Sequence, residues 1–124
     1  MKYVYPVMLI LILSAAAFGQ SENQKAKIAV VFGLKSYTQT FDRLTNNEAE
    51  YKALLKALEV AKENDEILTD SQLLVGQLTK NYKVKAENLI PLYKQAKEMM
   101  GRKRVKLTWI PREQNLAGKI LEKI

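Results

Sequence analysis

The 124-residue sequence contains no cysteine and no histidine. Their absence excludes disulfide bonds, thiol nucleophiles, zinc sites built from cysteine or histidine, and an imidazole general base. Acidic residues are also missing from residues 3–13. Any chemistry must therefore come from carboxylates elsewhere in the chain, from hydroxyls and amides, or from lysine and arginine.

The charged residues that are present are predominantly basic. Lysine and arginine number 20 against 13 aspartates and glutamates, which gives a net charge of +7. This excess favours a polyanionic partner, either nucleic acid or an anionic membrane surface. A length of 124 residues with 48% apolar residues indicates one small globular domain with a modest core.

Strand and helix patterns alternate along most of the chain. Apolar and alternating segments predict strands at 27–33, 36–41, 66–69 and 105–109, the first two forming an antiparallel hairpin. Helical periodicity and capping signals predict helices at 46–64, 71–79 and 88–100, and a terminal helix from residue 115. This order predicts a mixed α/β sheet layered with helices.

Glu50 is the first candidate site residue. Thr45 and Glu48 have the spacing of a capping box, which satisfies the free N–H groups at the start of a helix. Glu50 instead shares a helical stripe with Leu54 and Leu58, so we expect it to face the sheet. A buried carboxylate needs a cation or a hydrogen-bond donor, whereas the alternative is a Glu that only interacts with the helix dipole.

Asp70 is the second candidate, because it directly follows the strand predicted at 66–69. The carboxyl ends of strands in α/β sheets are places where ligands bind. The alternative is a helix N-cap, a role that Ser71 could share. A helix-borne Glu50 facing this strand end would give two carboxylates for a hard divalent cation such as Mg²⁺.

Four stretches form a recognisable series: TNNEAEYKAL at 45–54, TDSQLLVGQL at 69–78, YKVK at 82–85 and WIPREQN at 109–115. In this order and spacing they resemble the type 1 ribonuclease H family, especially its short bacterial and archaeal members. The resemblance covers somewhat more than half of the chain. It implies a ribonuclease H-like α/β fold, a mixed five-stranded sheet with helices on both faces, whose first strand is atypical here.

The resemblance also implies an activity, the metal-dependent endonucleolytic hydrolysis of RNA in RNA/DNA hybrids by four carboxylates and two divalent ions. Glu50 and Asp70 match two of the catalytic and metal-binding carboxylates, with Mg²⁺ or Mn²⁺ as the ion. No small-molecule cofactor is expected, and we expect a monomer. The residues that the resemblance places against the hybrid are Asn46, Asn47, Ser71 and Gln77, whose amides and hydroxyl suit a 2′-OH.

The other two carboxylates of the family pattern are absent. The family's first strand ends in Asp-Gly, whereas residues 3–13 here contain no acid. The family's last Asp falls on Gly118, and Glu122 lies one helical turn further along. Fewer carboxylates bind divalent ions more weakly, so we expect weak or absent hybrid cleavage.

Two basic clusters are candidates for phosphate binding without catalysis. They consist of Lys80, Lys83 and Lys85, and of Arg102, Lys103, Arg104 and Lys106. We assign Lys83 and Lys85 to nucleic-acid binding; for residues 102–104 a solvated turn is an equal alternative.

Trp109 alternates in phase with Val105 and Leu107, which predicts a core position rather than base stacking.

Residues 1–26 allow several interpretations. Lys2, an apolar run at 4–13 and small residues at 15–19 form a secretory-signal pattern, too short for a membrane span of roughly 20 residues. Membrane contact is expected only if residues 3–19 act as a signal or anchor. Residues 3–13 could instead be a buried strand, because strands covered on both faces are continuously apolar. A frame-shifted segment is a further hypothesis, which DNA reads showing an intact frame would refute.

The sequence therefore leaves three functions open: an active hybrid nuclease, a non-catalytic module that binds hybrids or duplexes, and a small exported basic protein with a cleaved signal peptide. We divide the chain into 1–26, a leader or atypical first strand plus loop, and a ribonuclease H-like domain at 27–124. Removing the leader would delete any central strand. We therefore expect a cytoplasmic protein, with export as the alternative.

Overall fold

A computed structural model of the protein describes residues 9–16, 25–32, 35–42 and 44–115. The strands in these ranges are β1 (Leu9–Ala16), β2 (Lys25–Phe32), β3 (Lys35–Asp42), β4 (Glu66–Thr69) and β5 (Lys106–Trp109). The helices are α1 (Asn46–Val60), α2 (Gln72–Thr79) and α3 (Ile90–Lys103), followed by a 3₁₀ turn at Arg112–Gln114. The predicted mixed α/β architecture is confirmed.

The five strands form one sheet in the order β3-β2-β1-β4-β5. β1 lies at its centre, antiparallel to β2 and parallel to β4. Ile12 pairs with Val30 on one side and with Thr69 on the other. The apolar segment near the N-terminus therefore supplies a central strand, in which both edges of the backbone are hydrogen-bonded. Of the strand predicted at 3–13, only residues 9–13 are described, and β1 continues to Ala16.

α1 starts where the capping signals predict. The Thr45 hydroxyl accepts a hydrogen bond from the Glu48 N–H at 3.1 Å, and the Glu48 carboxylate accepts one from the Thr45 N–H at 2.8 Å. The bond from the Thr45 N–H lowers the pKa of Glu48 because it favours the charged carboxylate. The helix ends at Val60 and not at the predicted residue 64, since Ala61 is already extended.

The core lies between α1 and the sheet. α1 buries a stripe of residues against β1 and β2, with Leu54 and Leu58 fully inaccessible to solvent. Ile28 and Val30 of β2 and Ile67 of β4 belong to the same cluster. Burying each of these large aliphatic side chains contributes about 1.5–3 kcal/mol to the free energy of unfolding. This packing fixes α1, and with it Glu50, relative to the sheet.

α3 packs against α1 and α2 and contributes cations to the carboxyl ends of both helices. The Lys103 ammonium group donates to the carbonyls of Leu58 at 2.7 Å and Ala61 at 2.8 Å. The Lys97 ammonium group donates to the carbonyl of Leu78 at 2.8 Å. Neither α1 nor α2 has a basic residue in its own last turn. Lysines from α3 therefore satisfy carbonyls and complement the helix dipoles.

Two further expectations concern the C-terminal part. The terminal helix predicted from residue 115, with Gly118 and Glu122, lies outside the described residues. Trp109 was wrongly predicted to be a core residue, since 42% of it is exposed. It is the last residue of β5, an edge strand, and its indole N–H donates to the carbonyl of Asp70 at 3.2 Å. Among the described helices, none has the length and apolarity needed to cross a membrane.

Candidate functional site

Glu50 lies in the second turn of α1, on the helix face that packs on the sheet. Only 8% of the residue is exposed, as its position on the apolar stripe predicts. Its neighbours Ala49 and Tyr51 are fully buried. α1 packs mainly over β1 and β2, so the buried Glu50 lies on a helix placed over the central part of the sheet. A carboxylate placed there favours a bound cation or a donor.

Asp70 directly follows β4 at its carboxyl end. The last paired residue of β4, Thr69, lies opposite Ile12 of the central strand, so Asp70 stands next to the middle of the sheet. Its side chain is 2% exposed. Within the described part of the protein, neither carboxylate oxygen of Asp70 has a hydrogen-bond partner. Buried polar atoms are normally paired, so this carboxylate is a strong candidate for binding a cation.

The N-cap alternative for Asp70 is excluded by the residue that follows it. Ser71 is the N-cap of α2, and its hydroxyl accepts a hydrogen bond from the Leu74 N–H at 3.1 Å. The Asp70 backbone is held by the indole of Trp109, and the neighbouring Thr69 carbonyl accepts from the Ile110 N–H at 2.8 Å. The backbone around Asp70 is therefore fixed, while its carboxylate takes no part in capping.

Arg112 is a residue at this site that the sequence reasoning missed. Its Nε lies 3.6 Å from Oδ2 of Asp70, and 79% of its side chain is exposed. Arg112 opens the 3₁₀ turn that follows β5, and β5 pairs with β4. The WIPREQN stretch was used only to recognise the fold. Arg112, the basic residue within it, was the signal that could have predicted a cation near the strand end.

The donor set can be compared with what the family's ions require. Carboxylate oxygens are the ligands that Mg²⁺ and Mn²⁺ prefer, so Glu50 and the unsatisfied Asp70 fit a hard divalent cation. In the described ranges, no three acidic, cysteine or histidine side chains group together as a metal site. Among the described residues, two carboxylates are therefore candidates for binding a divalent ion, fewer than the four that the family pattern uses for two ions.

The amide and hydroxyl residues assigned to nucleic acid have two different environments. Asn46 and Asn47 are exposed in the first turn of α1. Ser71 and Gln77 are buried, at 6% and 4% exposure, and both take part in internal hydrogen bonds. The Gln77 side-chain oxygen accepts from the Tyr51 hydroxyl at 2.6 Å, and burial raises the pKa of that phenol. Contacts of all four with nucleic acid remain predictions.

Lys83 of the first basic cluster lines an open groove of about 340 Å³ between the end of α2 and the start of α3. Its walls are formed by Asn81, Tyr82, Lys83, Val84, Ile90, Tyr93 and Lys94. Tyr82 is 56% exposed, and its ring packs on Gly76, where a Cβ atom would overlap it. Lys83 and Lys85 are exposed, and no acidic side chain in the described part of the chain pairs with them. Lys83 and Lys85, called the groove lysine cluster below, are therefore available to contact phosphates.

The second basic cluster is largely occupied by internal partners. Arg102 lies 3.6 Å from Glu98, and Arg104 lies 3.7 Å from Glu63. Lys103 donates to the carbonyls at the end of α1. Only Lys106 of this cluster has no such partner among the described residues. Arg102 and Lys103 belong to the last turn of α3 and Arg104 is its C-cap, so the alternative of a solvated turn does not describe them, and a phosphate contact by these residues stays a prediction.

Comparison with known proteins agrees with this architecture. The model of the reverse transcriptase-like family matches residues 19–122. The chain belongs to this family. It is also 37% identical over 82 residues to the bifunctional protein Rv2228c of Mycobacterium tuberculosis. The aligned residues cover 62% of this chain. The aligned part is 22% of that relative, so the chain spans about a fifth of the length of the curated relatives it matches.

Solved ribonuclease H structures share the fold of this reverse transcriptase-like protein. LC11 ribonuclease H1 in complex with an RNA/DNA hybrid is 26% identical, with a TM-score of 0.76 over 90% of this chain and 91% of that one. The N-terminal ribonuclease H domain of Rv2228c from M. tuberculosis is 27% identical, with a TM-score of 0.73 over 94% of each chain. The ribonuclease H1 of Halobacterium salinarum, at 23% identity and a TM-score of 0.77, shares the fold. The ribonuclease H-like fold is thus confirmed, and the family it represents is metal-dependent.

Proposed function

We propose that this protein binds RNA/DNA hybrids through the groove lysine cluster and the adjacent start of α1. The observation that carries the proposal is the groove itself, in which Lys83 lies beside an exposed Tyr82, with Lys85 two residues further along the chain. Neither lysine has an acidic partner in the described residues. Lysines bind phosphates, and aromatic rings stack on bases and sugars. LC11 ribonuclease H1, which has the same fold, is known in complex with a hybrid.

For catalysis, we propose that this protein cleaves RNA/DNA hybrids more weakly than the active enzymes of the family do. Glu50 and Asp70 would hold Mg²⁺ or Mn²⁺, which supplies Lewis acidity and an activated water at a phosphodiester. The chain's own contribution is two buried carboxylates, one on α1 and one at the carboxyl end of β4. Because two carboxylates are fewer than the four that the family pattern uses for two ions, we expect hybrid cleavage to be slow or absent and hybrid binding to persist.

Binding is tested by fluorescence anisotropy with a labelled RNA/DNA hybrid at several salt concentrations. For Lys83→Gln/Lys85→Gln we expect weaker binding and a salt slope reduced by about 2, one for each lost phosphate contact. The matched control is Lys52→Gln/Lys62→Gln on α1 and its following turn, which removes the same charge. Equal losses in both double variants would show that only net charge matters and would contradict the proposal.

Cleavage is tested on the same hybrid with Mg²⁺ and then with Mn²⁺. Glu50→Gln/Asp70→Asn is the control that removes both carboxylates. Slow cleavage that this control abolishes would make the protein a weak nuclease. Absence of cleavage together with retained hybrid binding would make it a non-catalytic binding module.

We also propose that the protein acts in the cytoplasm as a monomer, without a small-molecule cofactor. The supporting observation for location is β1, which pairs with strands on both sides and would be lost if a leader ending near residue 19 were removed. Mass spectrometry of the N-terminus of protein from its native cell tests this proposal. A mature chain starting at Gln20 would favour export instead.

A further inference from the structure

Within the described part of the protein, the carboxylate of Asp70 forms one ion pair, with the guanidinium of Arg112. The distance of 3.6 Å from Nε to Oδ2 is that of an ion pair and too long for a hydrogen bond. The two partners differ greatly in environment, since the Asp70 side chain is 2% exposed and the Arg112 side chain 79%. The contact is therefore a loose pair between a buried anion and an exposed surface cation.

A buried carboxylate without hydrogen bonds requires a compensating positive charge. No other described lysine or arginine lies within ion-pair distance of Asp70. Arg112 is thus the internal charge that compensates Asp70. A divalent ion bound at Asp70 would need the same oxygens and would be repelled by the guanidinium.

We propose that Arg112 is the resident counter-ion of Asp70 and competes with divalent cations for its carboxylate. The free protein then binds Mg²⁺ or Mn²⁺ weakly for two reasons, few carboxylates and a cation already in place. The second reason is removable by a single substitution. This proposal concerns cation binding by the protein alone and does not depend on nucleic-acid binding.

The expected effect follows from the charges and their exposure. The guanidinium interacts with a doubly charged ion twice as strongly as with a single charge at the same distance, but water screens it because it is exposed. We therefore expect Arg112→Gln to bind Mn²⁺ about tenfold more tightly than the unaltered chain, a modest change typical of an exposed charge. Arg112→Lys retains the charge and should keep the weak affinity.

The experiment is a Mn²⁺ titration of the full chain, followed by the paramagnetic resonance signal of the free ion. The variants are Arg112→Gln, Arg112→Lys, Asp70→Asn and Arg112→Gln/Asp70→Asn. Arg102→Gln is the matched control, because Arg102 is equally charged, exposed and paired with Glu98 instead. Thermal unfolding of each variant with and without Mn²⁺ gives a second readout that needs no substrate.

Three results together support the proposal. Arg112→Gln gains Mn²⁺ affinity, Arg102→Gln does not, and the gain disappears in the double variant with Asp70→Asn. In thermal unfolding, Mn²⁺ should raise the melting temperature of Arg112→Gln more than that of the unaltered chain. The proposal is overturned if Arg112→Gln and the unaltered chain bind Mn²⁺ equally, if Arg102→Gln gains as much, or if the gain persists without the Asp70 carboxylate.

Discussion

The carboxyl end of α1 and the carboxyl end of β4 differ in how well their polar groups are paired. At the end of α1, one ammonium group, that of Lys103, donates to three carbonyls, those of Leu58, Glu59 and Ala61. At the end of β4, the Asp70 carboxylate is buried with no hydrogen bond in the described part and with only a loose contact to Arg112. The hydrogen bonds in the first region stabilise the fold, whereas the carboxylate in the second region has oxygens that could still bind a ligand.

This difference indicates where function is to be sought in the molecule. A fold normally satisfies its buried polar groups, so a site that fails to do so within a well-packed surrounding is a candidate for ligand binding. The strand end keeps a fixed backbone through Trp109 and Ile110, which shows that its unsatisfied carboxylate is not a consequence of poor packing. Substitutions in the two regions should accordingly change stability in opposite directions.

Lys103→Met should have the largest effect on stability. It removes a cation from the α1 dipole and leaves the carbonyls of Leu58 and Ala61 without their donor, while the methionine keeps the apolar stem. We expect a loss of about 1.5–3 kcal/mol in the free energy of unfolding, the range for hydrogen bonds to charged groups. Urea denaturation followed by circular dichroism measures it. Arg102→Met, on the exposed side of α3, is the control and should cost less than about 0.5 kcal/mol.

Tyr51→Phe should have the second largest effect. The phenol of Tyr51 donates to Gln77 in the core, so its removal leaves the Gln77 oxygen without this donor. We expect a loss of about 1–2 kcal/mol in the free energy of unfolding, the cost of a buried unsatisfied acceptor. Tyr37→Phe, on the partly exposed strand β3, is the matched control. A loss as small as that of the control would mean that the buried pair contributes little.

The same tyrosine predicts a pH dependence. Burial raises the pKa of Tyr51 above its ordinary value of 10.0, so the folded state keeps the phenol proton where the unfolded state releases it. The contribution of Tyr51 to stability is therefore complete below pH 10 and is lost as the pH rises through the raised pKa. Denaturation at pH 9 to 11, at roughly half-unit steps around this ordinary value, should show a steeper decline for the unaltered chain than for Tyr51→Phe.

Local patterns in the sequence predicted the elements whose determinants are close in the chain. The start of α1 was predicted because Thr45 and Glu48 are three residues apart, and β4 was predicted because its apolar pattern ends at Asp70. The burial of Glu50 followed from helical phase alone. These features need no knowledge of which elements meet in space.

The features that the sequence did not reveal depend on residues far apart. α1 ends before the predicted residue, and carbonyls at its terminus are satisfied by Lys103, more than forty positions further along. Trp109 is exposed because β5 is an edge strand and its last residue projects at the end of the sheet. Arg112 meets Asp70 only because β5 pairs with β4. The periodicity of apolar residues predicts which face of a helix or strand is buried, but it does not predict which distant residues contact the end of that element.

Asp70→Asn gives the smallest expected change and the sharpest test of the comparison. The substitution keeps the shape of the side chain and removes a buried charge that makes no hydrogen bond in the described part and has only an exposed arginine as partner. We expect stability to stay the same or to rise by about 0–1 kcal/mol, because the desolvation cost of the carboxylate is removed and a pair with an exposed partner contributes little. Urea denaturation at neutral pH measures it.

A clear loss of stability in Asp70→Asn would contradict the comparison, since it would show that the pair with Arg112 stabilises the fold. In that case Arg112→Gln should cause a similar loss, and the double variant should be no less stable than either single one. If Asp70→Asn is instead neutral or stabilising while hybrid cleavage or Mn²⁺ binding is lost, the carboxylate is retained at a cost to stability. A group kept in this way serves binding or catalysis, because the packing of the strand end does not need it.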